Sequence, residues 1–143
     1  MNIPEQIQEY ITGQPEPKRS ELQELHRRIL HLLPSTKLWF EDGKNSENKT
    51  VSNPTIGYGL YTIRYADGKT RPFFQIGFSA NNTGLLIYIL GLKDKAYLSQ
   101  TFGKELGKAK LSGYCIRFNK LADINIPILE SAILYGVKTS LEE

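Results

Sequence analysis

The chain predicts an α+β fold, a mainly antiparallel sheet of four to five strands with N-terminal helices and a C-terminal helix packed on it. Apolar residues recur at helical spacing near both ends of the 143 residues. Between them, Pro54 to Leu90 alternates with period two and is punctuated by Asp67-Gly68 and by Asn81 to Gly84, two turn signals. The regular strand–helix alternation of a doubly wound parallel sheet is absent.

A chain of this length corresponds to one domain, taken here as residues 1–143, and is long enough to bury a core without staples. Hydrophobic residues make up 40% and the single cysteine, Cys115, excludes an internal disulfide, which fits a reducing compartment. No apolar run approaches the ~20 residues of a membrane span, and MNIPEQIQEY lacks a basic-then-apolar signal pattern. The expected setting is cytoplasmic, with no membrane partner. The net charge of +3 is uneven, because residues 91–120 hold seven basic against two acidic groups. A local excess of this kind points to an anionic partner, whereas the overall charge is too small for sequence-independent nucleic-acid binding.

Taken in order, Ile3, Ile7, Tyr10 and Ile11 mark a first helix, with Asn2 as N-cap and Gly13 and Pro15 at its end. Pro17 to Leu33 is a second helix with the stripe Leu22, Leu25, Ile29, Leu32 and Leu33, and Pro34 stops it. KLWF enters the sheet as a short strand, and 41–53 is a long polar loop of the kind that is often functional. One strand is then expected from Pro54 to Tyr65, with Ile56, Tyr58, Leu60 and Thr62 on a single face. Pro72 to Ser79 is the next, with Phe74, Ile76 and Phe78 together. LLIYIL is apolar on both faces and belongs in the middle of the sheet. A short helix over 95–102, a Gly/Lys-rich loop and a strand through Tyr114, Ile116 and Phe118 follow. Asn125 caps a last helix from Ile126 to about Leu141.

Several phrases together resemble the YdhG-like family, a family of unknown function also numbered DUF1801. They are PKRSELQELHRRILHLLP, LWF, IGYG, YTIRYADGK, FFQIGFS, LLIYIL and LGKAKLSGYCIRFNKLADIN, in that order, over about residues 16–138. The long loop 41–53 departs from the shorter version of many members. The resemblance implies a small cytoplasmic domain and transfers no catalytic residues. A frataxin-like role in iron binding and delivery, attached to one branch of the family, is the alternative it brings.

The residues offer four candidate constellations. Lys104, Lys108, Lys110 and Arg117, with Gly107 and Gly113, form an anion-binding candidate, although the spacing is neither that of a P-loop nor of a dinucleotide fingerprint. The bland alternative is a solvated turn. Trp39, Tyr58, Tyr61, Tyr65 and Phe73, beside Gly57, Gly59 and Gly77, form a cleft candidate expected between one sheet face and the 41–53 loop. Its alternative is an aromatic core with glycines at close crossings. Glu41, Asp42 and Glu47 are weak metal candidates for the iron alternative, and no other cofactor is expected. Cys115 reads as an inert strand residue, and the five-residue spacing of His26 and His31 does not suit a metal.

Glu130 falls inside the apolar stripe of the last helix; burial would demand a cation such as Arg117 or a lysine, and the bland alternative is a rim position. Ile128 and Tyr135 lie on its opposite face as a possible contact for a weak homodimer. No nucleophile can be given a base, so the reading leans away from an enzyme. It favours a binding module for a small anionic or aromatic ligand or a partner protein.

Overall fold

The computed structural model describes residues 1–141, with side chains through Thr139. Two helices, α1 (Ile3–Thr12) and α2 (Lys18–Leu32), precede the strands β1 (Leu38–Glu41), β2 (Thr55–Tyr58), β3 (Tyr61–Arg64), β4 (Thr70–Phe73), β5 (Ile76–Ala80) and β6 (Leu85–Ile89). Helix α3 (Tyr97–Phe102), strands β7 (Lys110–Leu111) and β8 (Cys115–Phe118) and helix α4 (Ile126–Leu141) complete the chain. The fold is α+β and the sheet antiparallel throughout, but it is larger than the four to five strands expected. Six strands run in the order β1-β2-β5-β6-β8-β7, and β3 and β4 form a separate two-stranded hairpin. The apolar strand β6 does lie in the interior, between β5 and β8.

The helices form where local signals put them. Asn2 Oδ1 accepts the Glu5 amide at 2.9 Å while its Nδ2 donates to the Glu5 carboxylate at 3.0 Å, so one side chain serves two groups of the first turn. Asn2→Ala should lower stability by about 1 kcal/mol in urea titration. A change below ~0.3 kcal/mol, the cost scale of a neutral cap, would show that the cap contributes nothing. The first turns of α2 are tied down from two sides. Lys18 donates to the Asn81 carbonyl, and the Leu121 amide donates to Glu21 at 2.6 Å. Asn125 Oδ1 meets the Ile128 amide at 3.4 Å at the start of α4.

One sheet face is the core. Ile56 and Tyr58 of β2, Ile76 and Phe78 of β5, Leu85, Ile87 and Ile89 of β6, and Ile116 and Phe118 of β8 all point to it. They meet Ile7 and Ile11 of α1, Leu22, Leu25 and Ile29 of α2, and Leu129, Ala132 and Ile133 of α4. Each fully buried aliphatic side chain contributes roughly 1.5–3 kcal/mol by leaving water.

Two long strands expected from the alternation are each broken in the middle, at positions facing one another. β2 and β5 pair as far as Tyr58 opposite Ile76, and pairing resumes in the hairpin at Tyr61 opposite Phe73. Between them Gly59 takes φ +82°, a conformation that a side chain resists, and turns β3 out of the sheet. Leu60 therefore does not share a face with Ile56 and Tyr58 but stands 59% exposed.

Across the break, the Gln75 amide donates to the Tyr58 carbonyl at 3.0 Å, and its buried side chain donates to the Gly136 carbonyl of α4 at 2.7 Å. The break also reverses Phe74. Instead of joining Ile76 and Phe78, it lies on the outer sheet face over Gly57 and Gly77, which are paired on β2 and β5. An ideal Cβ at Gly57 would sit 2.6 Å from Phe74 Cβ, and one at Gly77 would sit 2.7 Å from Phe74 Cε1. The two glycines are the seat of that ring.

Two side chains of the last helix have partners other than those named from the sequence. Glu130 is partly buried, its side chain 24% exposed, and its nearest cation is Arg28 of α2 at 3.9 Å, not Arg117. Arg117 belongs to the opposite face of the sheet. Tyr135, placed at a possible dimer contact, is occupied within the chain, because its ring stacks on Tyr97 of α3 with centroids 4.1 Å apart. Ile128 is likewise half-buried against the core.

Candidate anion-binding groove

Strand register decides which side chains share the outer face. Lys110 of β7 stands opposite Arg117 of β8, and Arg117 stands opposite Leu86 of β6. Ahead of them Gly107 takes φ +102° and bridges to Ile124, so closely that a Cβ there would lie 2.5 Å from the Asp123 carbonyl. That carbonyl accepts the Lys108 amide at 3.0 Å and fixes where the lysine begins.

The result is a groove of about 850 Å³ at one end of the sheet. Its lining includes Lys108, Lys110, Arg117, Asn81, Thr83 and Asp123. Asn81 Oδ1 accepts the Thr83 amide and hydroxyl, each at 2.8 Å, and the Gly84 amide at 2.9 Å, which makes the β5–β6 turn a fixed wall.

Three cations against one carboxylate give the groove a positive field. Like charges directly opposite on neighbouring strands repel, yet Lys110 and Arg117 are placed so. Among the described residues, neither they nor Lys108 has a carboxylate oxygen within 4.0 Å. The structure thus brings together three of the four residues of the anion candidate. Lys104, exposed beyond the end of α3, is outside the lining.

The aromatic candidates are divided. Trp39 and Phe73 meet edge-to-face with centroids 6.1 Å apart, and Trp39 Nε1 donates to the Gly59 carbonyl at 2.7 Å. Lys37 lies 4.5 Å over the Trp39 ring and Arg71 4.8 Å over that of Phe73. Tyr61 is the cross-strand partner of Phe73. Tyr65 stands exposed at the hairpin turn, and Tyr58 points to the other face, fully buried against α2.

The space that the outer-face glycines leave is filled by Phe74, whose ring lies 4.0 Å from that of Phe73. The cleft is expected between this face and the 41–53 loop. The start of that loop borders a hollow of about 380 Å³ on the helix side, with Tyr10, Phe40 and Lys44 in the wall.

Glu41, Asp42 and Glu47 do not converge. Glu41 is on the outer sheet face opposite Thr55, the Asp42 carboxylate accepts the Lys44 amide at 2.9 Å, and Glu47 pairs with Lys49 at 3.6 Å. No group of three or more His, Cys, Asp or Glu side chains suited to a metal occurs among the described residues.

One residue near these features, Tyr88, escaped the sequence reading. Tyr88 of β6 stacks on Tyr114 with centroids 6.1 Å apart. Burial pushes the Tyr88 hydroxyl up, Cys115 and Tyr114 add to this, and the nearby Arg117 guanidinium partly offsets it. His26 is buried in the core with Nδ1 2.6 Å from the Tyr58 hydroxyl. Cys115 is free and buried; burial raises its thiol and Arg117 offsets part of the rise, so it is a poor nucleophile.

Fold and groove together define the class, an antiparallel α+β domain with a cationic groove at one end of its sheet. No family model, no curated protein and no solved structure matches the chain. No helix among the described residues is long and apolar enough to cross a membrane.

Proposed function

We propose that the protein is a non-catalytic binding module for a small anion, held in the groove of Lys108, Lys110 and Arg117. One observation carries this reading: two cations set opposite each other on adjacent strands, with a third beside them and, among the described residues, no carboxylate oxygen within 4.0 Å of any of the three. Such an arrangement stores repulsion that an anion relieves, and Arg117 offers the planar fork suited to a phosphate or carboxylate. Membership in the YdhG-like family and a cytoplasmic setting are parts of the same proposal, the second supported by a single free cysteine.

Thermal unfolding at low salt, with and without inorganic phosphate and phosphorylated metabolites, tests it. A ligand at one hundred times its Kd stabilises by about 2.7 kcal/mol, roughly 5–10 °C in Tm for a domain of this size. Arg117→Gln should abolish the rise, and high ionic strength should reduce it. A panel that leaves Tm unchanged at millimolar concentration would sink the proposal.

A further inference from the structure

The outer face continues from the groove in a way that narrows the ligand. Along β6, Leu86 and Tyr88 point to the same side, and along β8 so do Arg117 and Cys115, with Tyr88 opposite Cys115 and Leu86 opposite Arg117. Tyr88 is therefore the diagonal neighbour of Arg117, one two-residue step away, about 7 Å along the strand. Tyr114 stacks on Tyr88 at an interplanar angle of 30°, yet remains 54% exposed. A stacked ring pair with its outer ring exposed thus begins where the row of cations ends.

Resting on the anion-binding reading above, we propose that the ligand is a nucleoside monophosphate, its phosphate held by Lys108, Lys110 and Arg117 and its base laid on Tyr114. The chemistry fits part by part. A phosphate satisfies the juxtaposed cations, and Tyr88, on which Tyr114 stacks, stands one two-residue step along the strand from Arg117, which leaves room for a pentose between phosphate and base. Base–aromatic stacking depends little on which base is used, so the face selects the class of ligand before the particular base.

Titration calorimetry at low salt with adenosine monophosphate, ribose 5-phosphate, adenosine and a six-nucleotide single strand tests this. The monophosphate should bind roughly tenfold or more tighter than ribose 5-phosphate, the gain expected of one stacked base, and adenosine should bind weakest. Tyr114→Ala should bring the monophosphate down to the ribose 5-phosphate affinity and leave the latter unchanged. Arg117→Gln should weaken both phosphate esters. Equal affinities for the two esters, or a Tyr114→Ala protein that binds the monophosphate as before, would overturn the nucleotide assignment and leave the anion site standing. Binding of none of the probes would overturn both. A single strand bound more than tenfold tighter than the monophosphate would replace the free nucleotide with a nucleic-acid strand.

Discussion

Phe74→Ala will lower stability by about 3–5 kcal/mol, the loss that follows when a buried aromatic ring is removed and its site cannot collapse. For a domain whose total stability is of the order of 5–15 kcal/mol, that is a large share. The residue is buried, and its ring is the filling between the β3–β4 hairpin and the Gly57–Gly77 trough of the sheet. In the other direction, Gly57→Ala and Gly77→Ala each force a methyl to within 2.6–2.7 Å of Phe74 atoms, far inside normal contact. Both single variants will be destabilised.

The diagnostic is the double-mutant cycle. In a Phe74→Ala background the methyl at residue 77 meets no ring, whereas one at residue 57 still meets Cβ of residue 74, so Gly77→Ala/Phe74→Ala should be more stable than the sum of the two losses by ~1–3 kcal/mol. Urea denaturation of the four proteins gives the coupling. Strict additivity would mean that the ring does not occupy the trough.

Acid will weaken the protein through His26. The imidazole is buried and its pKa is lowered below the ordinary 6.5 by desolvation. In the neutral Nε2–H tautomer, the Tyr58 hydroxyl, itself held protonated by burial, donates to Nδ1 across 2.6 Å. Protonation places a second hydrogen between the two atoms and a charge in the apolar interior. Since the folded pKa lies below the unfolded one, the unfolded chain binds the proton more readily. The His26 contribution is therefore full above about pH 6.5 and is lost as pH falls from there toward the depressed folded value.

His26→Gln should flatten the slope of stability against pH over that window. Tyr58→Phe leaves Nδ1 without its donor and should cost ~1–3 kcal/mol at neutral pH. An unchanged pH slope in His26→Gln would assign the acid sensitivity to other groups.

What the sequence made legible follows the distance over which each signal acts. The helix boundaries rest on neighbours along the chain, namely the Asn2 cap, Pro34 after α2 and Asn125 before α4, and the helices lie where those residues put them. Lys108, Lys110 and Arg117 come together because β7 and β8 are joined by a three-residue turn. The tyrosine pair was not legible, because Tyr88 meets Cys115 only through the pairing of two strands far apart in the chain.

The broken strands show a different limit. Alternation reports that residues share a face only while the backbone stays extended, and Gly59 can continue a strand or turn it with equal ease. The glycines at 57 and 77 announced missing side chains. They could not say whether a ligand or the protein's own Phe74 takes the space.

The strand order β1-β2-β5-β6-β8-β7 has a consequence for how the chain finds its shape. Only β7 departs from sequence order, and every pairing joins strands that follow one another, with no more than the folded-out hairpin or α3 and β7 between them. Closing a loop costs entropy that rises only logarithmically with its length, about 0.6 kcal/mol per doubling. The four residues between β5 and β6 therefore close at small expense, and each further strand adds to an edge already present. An antiparallel sheet of six strands would ordinarily be a slow folder, because distant segments must search for one another. Here each search is bounded by the segments between neighbouring strands, and the β3–β4 hairpin, once closed, brings β2 and β5 side by side.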